Sequence, residues 1–239
     1  MSALKRFFVD EIQPTVYLEG EEFEHAKNVL RIGCGAEIIL LDNSGKEYTG
    51  VVAQVEKKRM LVNIVREEMG TREAQTPVTL LFGYLKNADK NEFIVQKAVE
   101  LGVQEIGVFS SRFSSAYINA NKLERLNKVA KEAAKQCLRA TAPCVRYYEN
   151  LNVALDCAAE KENKLFACEF AMESEIDLSK LHGSTAIVVG SEGGFSKEEA
   201  ESAKKKGFAW VSLGKRILRA ETAAVALMSV AMFSLGEWR

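Results

Sequence analysis

Short apolar runs, several of them alternating with polar residues, occupy the first part of the chain. They cover residues 6–9, 15–18, 36–41, 47–55 and 60–65. Turn-forming sequences such as 42–45 (Asp-Asn-Ser-Gly) separate them. Alternation between regular turns is typical of β-strands, and several short strands of this kind favour a small barrel. One short helix is predicted over 21–29. We therefore predict a β-barrel domain over 1–70.

From residue 78 the pattern changes to strands that alternate with helices. The predicted strands cover 78–84, 106–109, 164–168, 185–189 and 209–213, and the predicted helices cover 91–101, 122–139, 153–160, 197–206 and 220–235. This succession predicts an α/β domain over 78–239, with a mostly parallel sheet and helices on both faces. The polar stretch 71–77 between the domains lacks a periodic apolar pattern, and we interpret it as a linker.

A glycine-rich loop over 190–196 (Gly-Ser-Glu-Gly-Gly-Phe-Ser) joins a predicted strand to a predicted helix. The α/β proteins use this layout to hold small ligands, and glycines permit positive φ and close approach to the backbone. The Gly-Lys-Ser/Thr ending of a P-loop is absent. Glu192 would repel phosphate oxygens, so the loop favours a neutral or partly cationic ligand. A tight turn with a helix capped by Ser196 is the alternative.

A second unusual loop follows the strand predicted over 209–213, and it runs from Gly214 to the start of the last helix. Parallel strands bring such loops to one edge of the sheet. Ile217 and Leu218 are suited to packing on a flat apolar ring, and Glu221 begins the helix. We therefore expect both loops to line one pocket, with the loop after 164–168 as a third wall.

Two helices carry further information. The helix over 220–235 is apolar nearly all round, which predicts burial in the core or a subunit interface. The helix over 122–139 is basic. It presents a solvated face or, alternatively, brings Gln136 and Arg139 to the pocket.

Composition excludes several classes of protein. The formal net charge is −1, so overall charge gives no support for a nucleic-acid partner. The cysteines number five, without a Cys-x-x-Cys pair, which indicates free thiols in a reducing compartment. With only two histidines in the chain, a zinc site is not expected. We see no signal peptide, and the longest apolar segment, 223–235, is too short to span a bilayer.

The motifs together resemble one family. The loop over 190–196, followed by 213–223 (Leu-Gly-Lys-Arg-Ile-Leu-Arg-Ala-Glu-Thr-Ala), is similar to the bacterial 16S ribosomal RNA uracil-N3 methyltransferases of the SPOUT superfamily. The stretches 97–103 and 132–139 and the pattern from His25 to Arg31 also resemble this family. The resemblance covers essentially the whole chain. Ser191 stands where the family pattern has proline, and Ala220 where it has threonine. These departures bear more on ligand affinity than on activity.

The resemblance implies an α/β methyltransferase domain with a deep C-terminal trefoil knot, preceded by a PUA-like barrel that binds RNA. It implies S-adenosylmethionine as cofactor, a uridine of 16S ribosomal RNA in the small subunit as acceptor, and a homodimer. From the cysteines, histidines and apolar segments above, we expect a cytoplasmic protein with neither metal nor membrane. The implied cofactor contacts are Gly190, Glu192, Gly193, Gly194, Leu213, Gly214, Ile217, Leu218 and Ala223.

Catalytic and RNA-binding roles follow as hypotheses. Arg139 or Arg219 stabilises a uracil anion, and Glu221 is the candidate base. Arg6, His25 and Arg31 are the candidates for RNA contact, with ordinary surface charge as the alternative. A non-catalytic RNA-binding assembly factor on the same scaffold is the competing function. The intact pocket loops argue against it, because a binding module needs no cofactor pocket.

Overall fold

The computed structural model of the protein describes residues 4–113 and 117–238. These residues form two compact units. The first contains the chain up to Glu73 together with the segment Ala134–Ala142. The second contains Ala74–Ala133 and the chain from Pro143 onward.

The first unit is built on a five-stranded sheet. Its elements are β1 (Lys5–Phe8), β2 (Thr15–Glu19), α1 (Gly20–Glu24), β3 (Glu37–Leu41), β4 (Lys46–Val55) and β5 (Arg59–Met69). The strand order is β1-β3-β4-β5-β2, with β1 and β3 parallel and the other neighbours antiparallel. The predicted strands are confirmed to within a few residues. The helix predicted over 21–29 consists of α1 and a π-helical turn, His25–Val29.

Alternation along the strands produces the core of this unit. In β2, Val16 and Leu18 are buried whereas the residues on either side of them are exposed, because successive side chains of a strand point to opposite faces. The buried cluster also contains Phe7, Phe23 and Leu40. The pattern that predicted strands therefore also predicted which face is buried.

Polar contacts hold the segment Ala134–Ala142 within the first unit. Lys135 is 9% exposed, and its Nζ lies 3.1 Å from both carboxylate oxygens of Glu22. The amide of Ala142 donates to Oδ1 of Asn43 at 2.8 Å. At Lys135 the basic helix is therefore paired and buried, and not solvated as the sequence alone favoured.

The second unit alternates strands and helices as predicted. Its elements are β6 (Val78–Gly83), α2 (Ala88–Glu100), β7 (Glu105–Phe109), α3 (Ala120–Gln136), β8 (Val145–Tyr148), α4 (Leu151–Cys157), β9 (Asn163–Ala167), β10 (Thr185–Val189), α5 (Lys197–Lys205), β11 (Ala209–Val211) and α6 (Ala220–Ser234). A 3₁₀ turn, Leu178–Lys180, precedes β10. The last residues of α3 belong to the segment counted with the first unit.

All neighbouring strands of the second sheet are parallel, in the order β11-β9-β10-β6-β7-β8. The parallel α/β class predicted from the sequence is confirmed. Strand β8 was missed, because Val145–Tyr148 is short and half-exposed at the sheet edge. Chain order reverses where β10 pairs with β6. Open α/β sheets bind ligands beside such a reversal, outside the carboxyl ends of the strands.

Aromatic rings fix the loop that follows β10. Phe195 is 2% exposed, and its ring centroid lies 4.1 Å from that of Phe166 and 6.4 Å from that of Phe109. Burying a phenylalanine contributes about 1.5–3 kcal/mol. The glycine-rich loop is therefore anchored to the sheet core by one of its own side chains.

Candidate functional site

A cavity of about 770 Å³ lies at the carboxyl ends of β9, β10 and β11. Its walls come from residues 167–171, 189–194 and 211–223, together with Lys90 of α2. These walls are the glycine-rich loop, the loop before α6, and the loop after β9 that was expected as a third wall. The cavity lies wholly within the second unit.

The residues predicted to contact a ligand all line this one cavity. They are Gly190, Glu192, Gly193, Gly194, Leu213, Gly214, Ile217, Leu218 and Ala223. Arg219 and Glu221, two of the candidate catalytic residues, line it as well. Ile217 is 95% exposed, so its apolar side chain is available to pack against a ring.

Gly194 is one position in the glycine-rich loop where the geometry disfavours a side chain. Its φ is +64°, and a Cβ there would lie 2.1 Å from Oε1 of Glu169. The same oxygen accepts a hydrogen bond from the amide of Phe195 at 3.4 Å. The glycine therefore makes room for the protein's own carboxylate, which crosses the loop from the wall after β9.

Hydrogen bonds fix the rest of this loop. Ser196 caps α5 in a capping box with Glu199, in which each side chain accepts a hydrogen bond from the other residue's amide. The predicted cap is confirmed. Ser191, which stands at the proline position of the family pattern, is 4% exposed, and its hydroxyl lies 3.1 Å from that of Ser111. Ser191 thus gives the loop a side-chain hydrogen bond that a proline would lack. In addition, Oε1 of Glu192 accepts a hydrogen bond from the amide of Lys86 at 2.9 Å.

One ion pair faces the cavity from two helices. Nζ of Lys90, in the first turn of α2, lies 2.9 Å from Oε1 of Glu221, in the first turn of α6. Oε2 of Glu221 is buried and has no hydrogen-bond partner among the described residues. Burial by itself would raise the pKa of Glu221, but Lys90, the backbone amide of Glu221 itself and, more weakly, Arg219 lower it overall. The carboxyl group is therefore ionised, with one oxygen able to accept a further hydrogen bond.

Lys90 was not predicted from the sequence. It is far along the chain from the other lining residues, and the charged stretch around it gave no motif. Its position in the first turn of a helix that follows a parallel strand could have indicated a residue of the site, because such helices begin at the ligand-binding edge of the sheet.

Cys168 lines the cavity but is not a candidate nucleophile. Burial raises the pKa of its thiol, and the reactive form of cysteine is the thiolate.

Arg139 and the candidate RNA contacts belong to the first unit and are not among the residues that line the cavity. The Arg139 side chain is 3% exposed, and its Nε and NH2 lie 2.9 and 2.8 Å from Oε2 of Glu73. Oε1 of Glu73 accepts from the amides of Ala140 and Thr141. Burial raises the pKa of Glu73, but Arg139 and Thr141 outweigh it and lower the pKa overall.

The three candidate RNA contacts differ in exposure. Arg6 pairs with Glu47 at 2.8 Å and its side chain is 9% exposed. Its Nε and Nη1 are buried and have no hydrogen-bond partner within the part of the chain that the structure describes. His25 is half-buried with its ring edge-on to Phe7. Arg31 is exposed and has a φ of +54°. Arg31 is thus the member of the set with an accessible charge.

Across residues 4–113 and 117–238, no helix has the length and apolar character needed to cross a membrane. The same ranges contain no cluster of three histidine, cysteine or acidic residues arranged to hold a metal ion.

The geometry defines a class of protein: a parallel α/β unit with a ligand cavity at a chain reversal, accompanied by a small β unit. Comparison with known proteins is more specific. Residues 72–232 match an RNA methyltransferase domain, and residues 18–65 match an RNA methyltransferase PUA domain. The chain belongs to this family of RNA methyltransferases.

Relatives of the chain match it over nearly its full length. Ribosomal RNA small subunit methyltransferase E of Mesomycoplasma hyopneumoniae is 33% identical, over 94% of this chain and 97% of the relative. The Bacillus subtilis protein of the same name is 30% identical, over 95% of each chain. The crystal structure of the Neisseria gonorrhoeae protein of that name, bound to S-adenosyl methionine, superimposes with a TM-score of 0.86 at 28% identity, over 99% of this chain and 100% of the other. The methyltransferase class and the PUA-like domain predicted from the sequence are confirmed.

A glycine-to-alanine pair tests the role of Gly194. We expect Gly214→Ala, at φ +93° with no atom within 4 Å of the added Cβ, to lose about 1–2 kcal/mol of stability from backbone strain alone. Gly194→Ala should lose more, because its Cβ also displaces the carboxylate of Glu169. Thermal unfolding followed by circular dichroism measures both losses. Two results would contradict this account: equal losses of stability in the two variants, or a Gly194→Ala loss that does not become smaller when Glu169→Ala is added in a double variant.

Proposed function

We propose that the protein transfers a methyl group from S-adenosylmethionine to N3 of a uridine in the 16S RNA of the small ribosomal subunit. One observation carries the proposal: the separate loops over 190–194 and 213–223 line a single cavity, and the second of them includes Arg219 and Glu221. Family membership and the names of the relatives support the reaction class and the RNA substrate. A non-catalytic assembly factor would not need this cavity.

The lining of the cavity fits S-adenosylmethionine, which carries a sulfonium charge and no phosphate. Three carboxylates, of Glu169, Glu192 and Glu221, line the walls together with the cations Lys90, Lys215, Arg216 and Arg219. This mixture suits a ligand that carries both positive and negative groups. Ile217 and Leu218 provide apolar surface for the adenine ring. The buried, unpartnered Oε2 of Glu221 suits a ligand that brings a hydrogen-bond donor. When bound, the cofactor supplies an activated methyl group.

The acceptor atom sets the remaining requirements. N3 of uracil bears a proton and is a poor nucleophile until that proton is removed. The protein must hold N3 in line with the methyl group, accept the proton and stabilise the charge that develops on the uracil carbonyls. Glu221 is our candidate for the base, because its carboxylate is ionised and lines the cavity.

Two arginines are candidates for stabilising the uracil anion. Arg219 lines the cavity two residues from Glu221, and this position favours it. Arg139 is buried against Glu73, so a direct role for it would require that ion pair to open. A structural role accounts for Arg139 equally well, and the two roles predict different results on substitution.

Labelled S-adenosylmethionine incubated with small subunits that lack the modification tests the function. We expect label at N3 of one uridine in 16S RNA, located by mass spectrometry of digested RNA. Arg219→Ala should lower kcat by about 10²–10³-fold, as removal of one stabilising donor does, while the dissociation constant for the cofactor stays constant.

Arg139→Ala separates the two roles of that arginine. A fall in kcat at unchanged unfolding temperature would support a catalytic role, whereas a fall in unfolding temperature at unchanged kcat would support a structural one. Cofactor binding without any transfer would favour the non-catalytic alternative, and absence of both would overturn the methyltransferase proposal.

We propose that the N-terminal domain over 1–70 binds RNA, through His25 and Arg31 and, as the resemblance implies, Arg6. The exposure of Arg31 supports its part directly. The buried position of Arg6 favours a supporting role, in which its charge orders β1 against Glu47.

The salt dependence of RNA binding tests this interface. We expect affinity to fall with salt, and Arg31→Gln to reduce the slope of log K against log salt by about 1, because one phosphate contact is lost. Lys58→Gln removes an exposed charge from the β4–β5 turn of the same unit and serves as the control. Fluorescence anisotropy at several salt concentrations measures the slopes. An RNA affinity that does not change with salt concentration would contradict the proposed phosphate contacts.

We propose further that the protein is a cytoplasmic homodimer whose C-terminal part is knotted, as the resemblance implies. An exposed apolar face on α6 supports the dimer. Val230 is 42% exposed and Phe233 is 57% exposed, and Trp238 just beyond the helix is 49% exposed. Large apolar side chains exposed near one another in sequence are consistent with an interface.

A charge on α6 tests the dimer. We expect Val230→Glu to shift the molar mass in light scattering from dimer towards monomer, because burying an unpaired carboxylate is costly. Val153→Glu, at a valine of α4 that is 37% exposed, introduces the same charge elsewhere and should leave the mass unchanged. A Val230→Glu protein with the mass of a dimer would remove this face from the interface.

A further inference from the structure

The Lys90–Glu221 pair is partly buried and incompletely hydrogen-bonded. The two side chains are 29% and 15% exposed, so the charges are shielded from solvent more than those of an ordinary surface pair. A buried carboxylate oxygen without a donor costs free energy, and Oε2 of Glu221 is such an atom. Lys90 satisfies the other oxygen only. The pair therefore lacks one donor, and the cavity is the place from which a ligand can bring it.

Charged groups from several elements surround Glu221, and they differ in sign and in their distance from its carboxylate. Lys90 projects from α2, and Arg219 precedes α6. Across the cavity lie Glu169 after β9 and Glu192 in the glycine-rich loop, and Lys215 and Arg216 lie in the loop before α6. Of the groups on other elements, Lys90 is the cation in direct contact with the carboxylate. Removing it would leave Glu221 with the effect of burial, with its own backbone amide and with the more distant Arg219.

We propose that Lys90 is a positioning residue for methyl transfer: its ammonium anchors Oε1 of Glu221 and keeps the carboxylate charged, so that Oε2 is free to accept the uridine N3 proton. This inference rests on the proposed function. The N3–H bond breaks as the N3–methyl bond forms, and the proton moves to Oε2 and is later released to water. The methyl group leaves the sulfonium centre, which becomes a neutral thioether. The positive charge lost there equals the charge of the proton released.

The direction of the pH effect follows from the contacts. With Lys90 present, the pKa of Glu221 is below its ordinary value, so the base is ionised throughout the neutral range. In Lys90→Met, burial remains and the nearest cation is gone. We expect the pKa of Glu221 to rise in this variant, because a neighbouring opposite charge no longer favours the ionised form. In this variant kcat should fall as the pH is lowered through the raised pKa, while kcat of the wild type stays level.

Nuclear magnetic resonance of the protein alone measures this pKa independently of activity. The side-chain carboxyl carbon of Glu221, assigned with Glu221→Gln, is titrated in the wild type, Lys90→Met and Lys90→Arg. We expect a raised midpoint in Lys90→Met and a low one in Lys90→Arg, which keeps the charge. Lys97→Met is the matched control: it breaks the Lys97–Glu100 pair of the same helix, whose side chains are 30% and 28% exposed, and should move neither the midpoint nor the pH profile.

The same variants are then assayed for methyl transfer to small subunits against pH, and for cofactor affinity by calorimetry. A raised midpoint matched by a shifted kcat profile, at unchanged cofactor affinity, supports the inference.

If the wild type is active and Lys90→Met does not alter its pH profile of kcat, the inference alone is overturned. A loss of cofactor affinity in both Lys90→Met and Glu221→Gln also overturns it, because the pair would then serve the cofactor. An inactive wild type overturns the proposed function and this inference together. If Lys90→Met fails to fold, Lys90→Gln replaces it in every measurement.

Discussion

Burial of Phe195 against Phe166 and Phe109 is the contact on which the cavity depends. The residues before it in the loop have little apolar surface, so they cannot hold a fixed shape by themselves. Because the ring packs in the core of the second sheet, the preceding backbone is brought over the ends of the strands. The carboxylate of Glu169 and the capping box of Ser196 then fix its path. The shape of the cavity is thus a consequence of core packing.

Parallel pairing supplies the second requirement. β9, β10 and β11 run in one direction, so the loops that follow them meet at a single edge although they are distant in sequence. α2 and α6 both begin at the cavity, which brings Lys90 to Glu221. Charged groups near helix N-termini and strand ends are thereby concentrated in one place. This concentration is the physical basis for the acid–base chemistry proposed for the site.

Ion pairs illustrate where reasoning from sequence stops. Arg139 ends the helix predicted over 122–139, whose positive charges suggest either a solvated surface or a ligand contact, and the sequence does not decide between them. Its partner Glu73 lies 66 residues earlier, in a stretch interpreted as a polar linker. Lys135 and Glu22 form a similar pair. Partners so distant carry no local signal, because ion pairing depends on three-dimensional proximity and not on spacing along the chain.

Local rules were sufficient for the elements and the glycine-rich loop. Alternation predicted the strands of the first unit, helical spacing predicted α2 to α6, and Ser196 followed by acidic residues predicted the cap of α5. Strand β8 was not predicted, because its four residues lie at a sheet edge and form only a short apolar pattern. The sequence by itself thus determined the α/β class and the two loops of the site, since both follow from neighbouring residues. Only the tertiary structure decided that Glu169 crosses Gly194, that Lys90 reaches Glu221 and that Arg139 is buried against Glu73, because each joins residues that the chain alone keeps far apart.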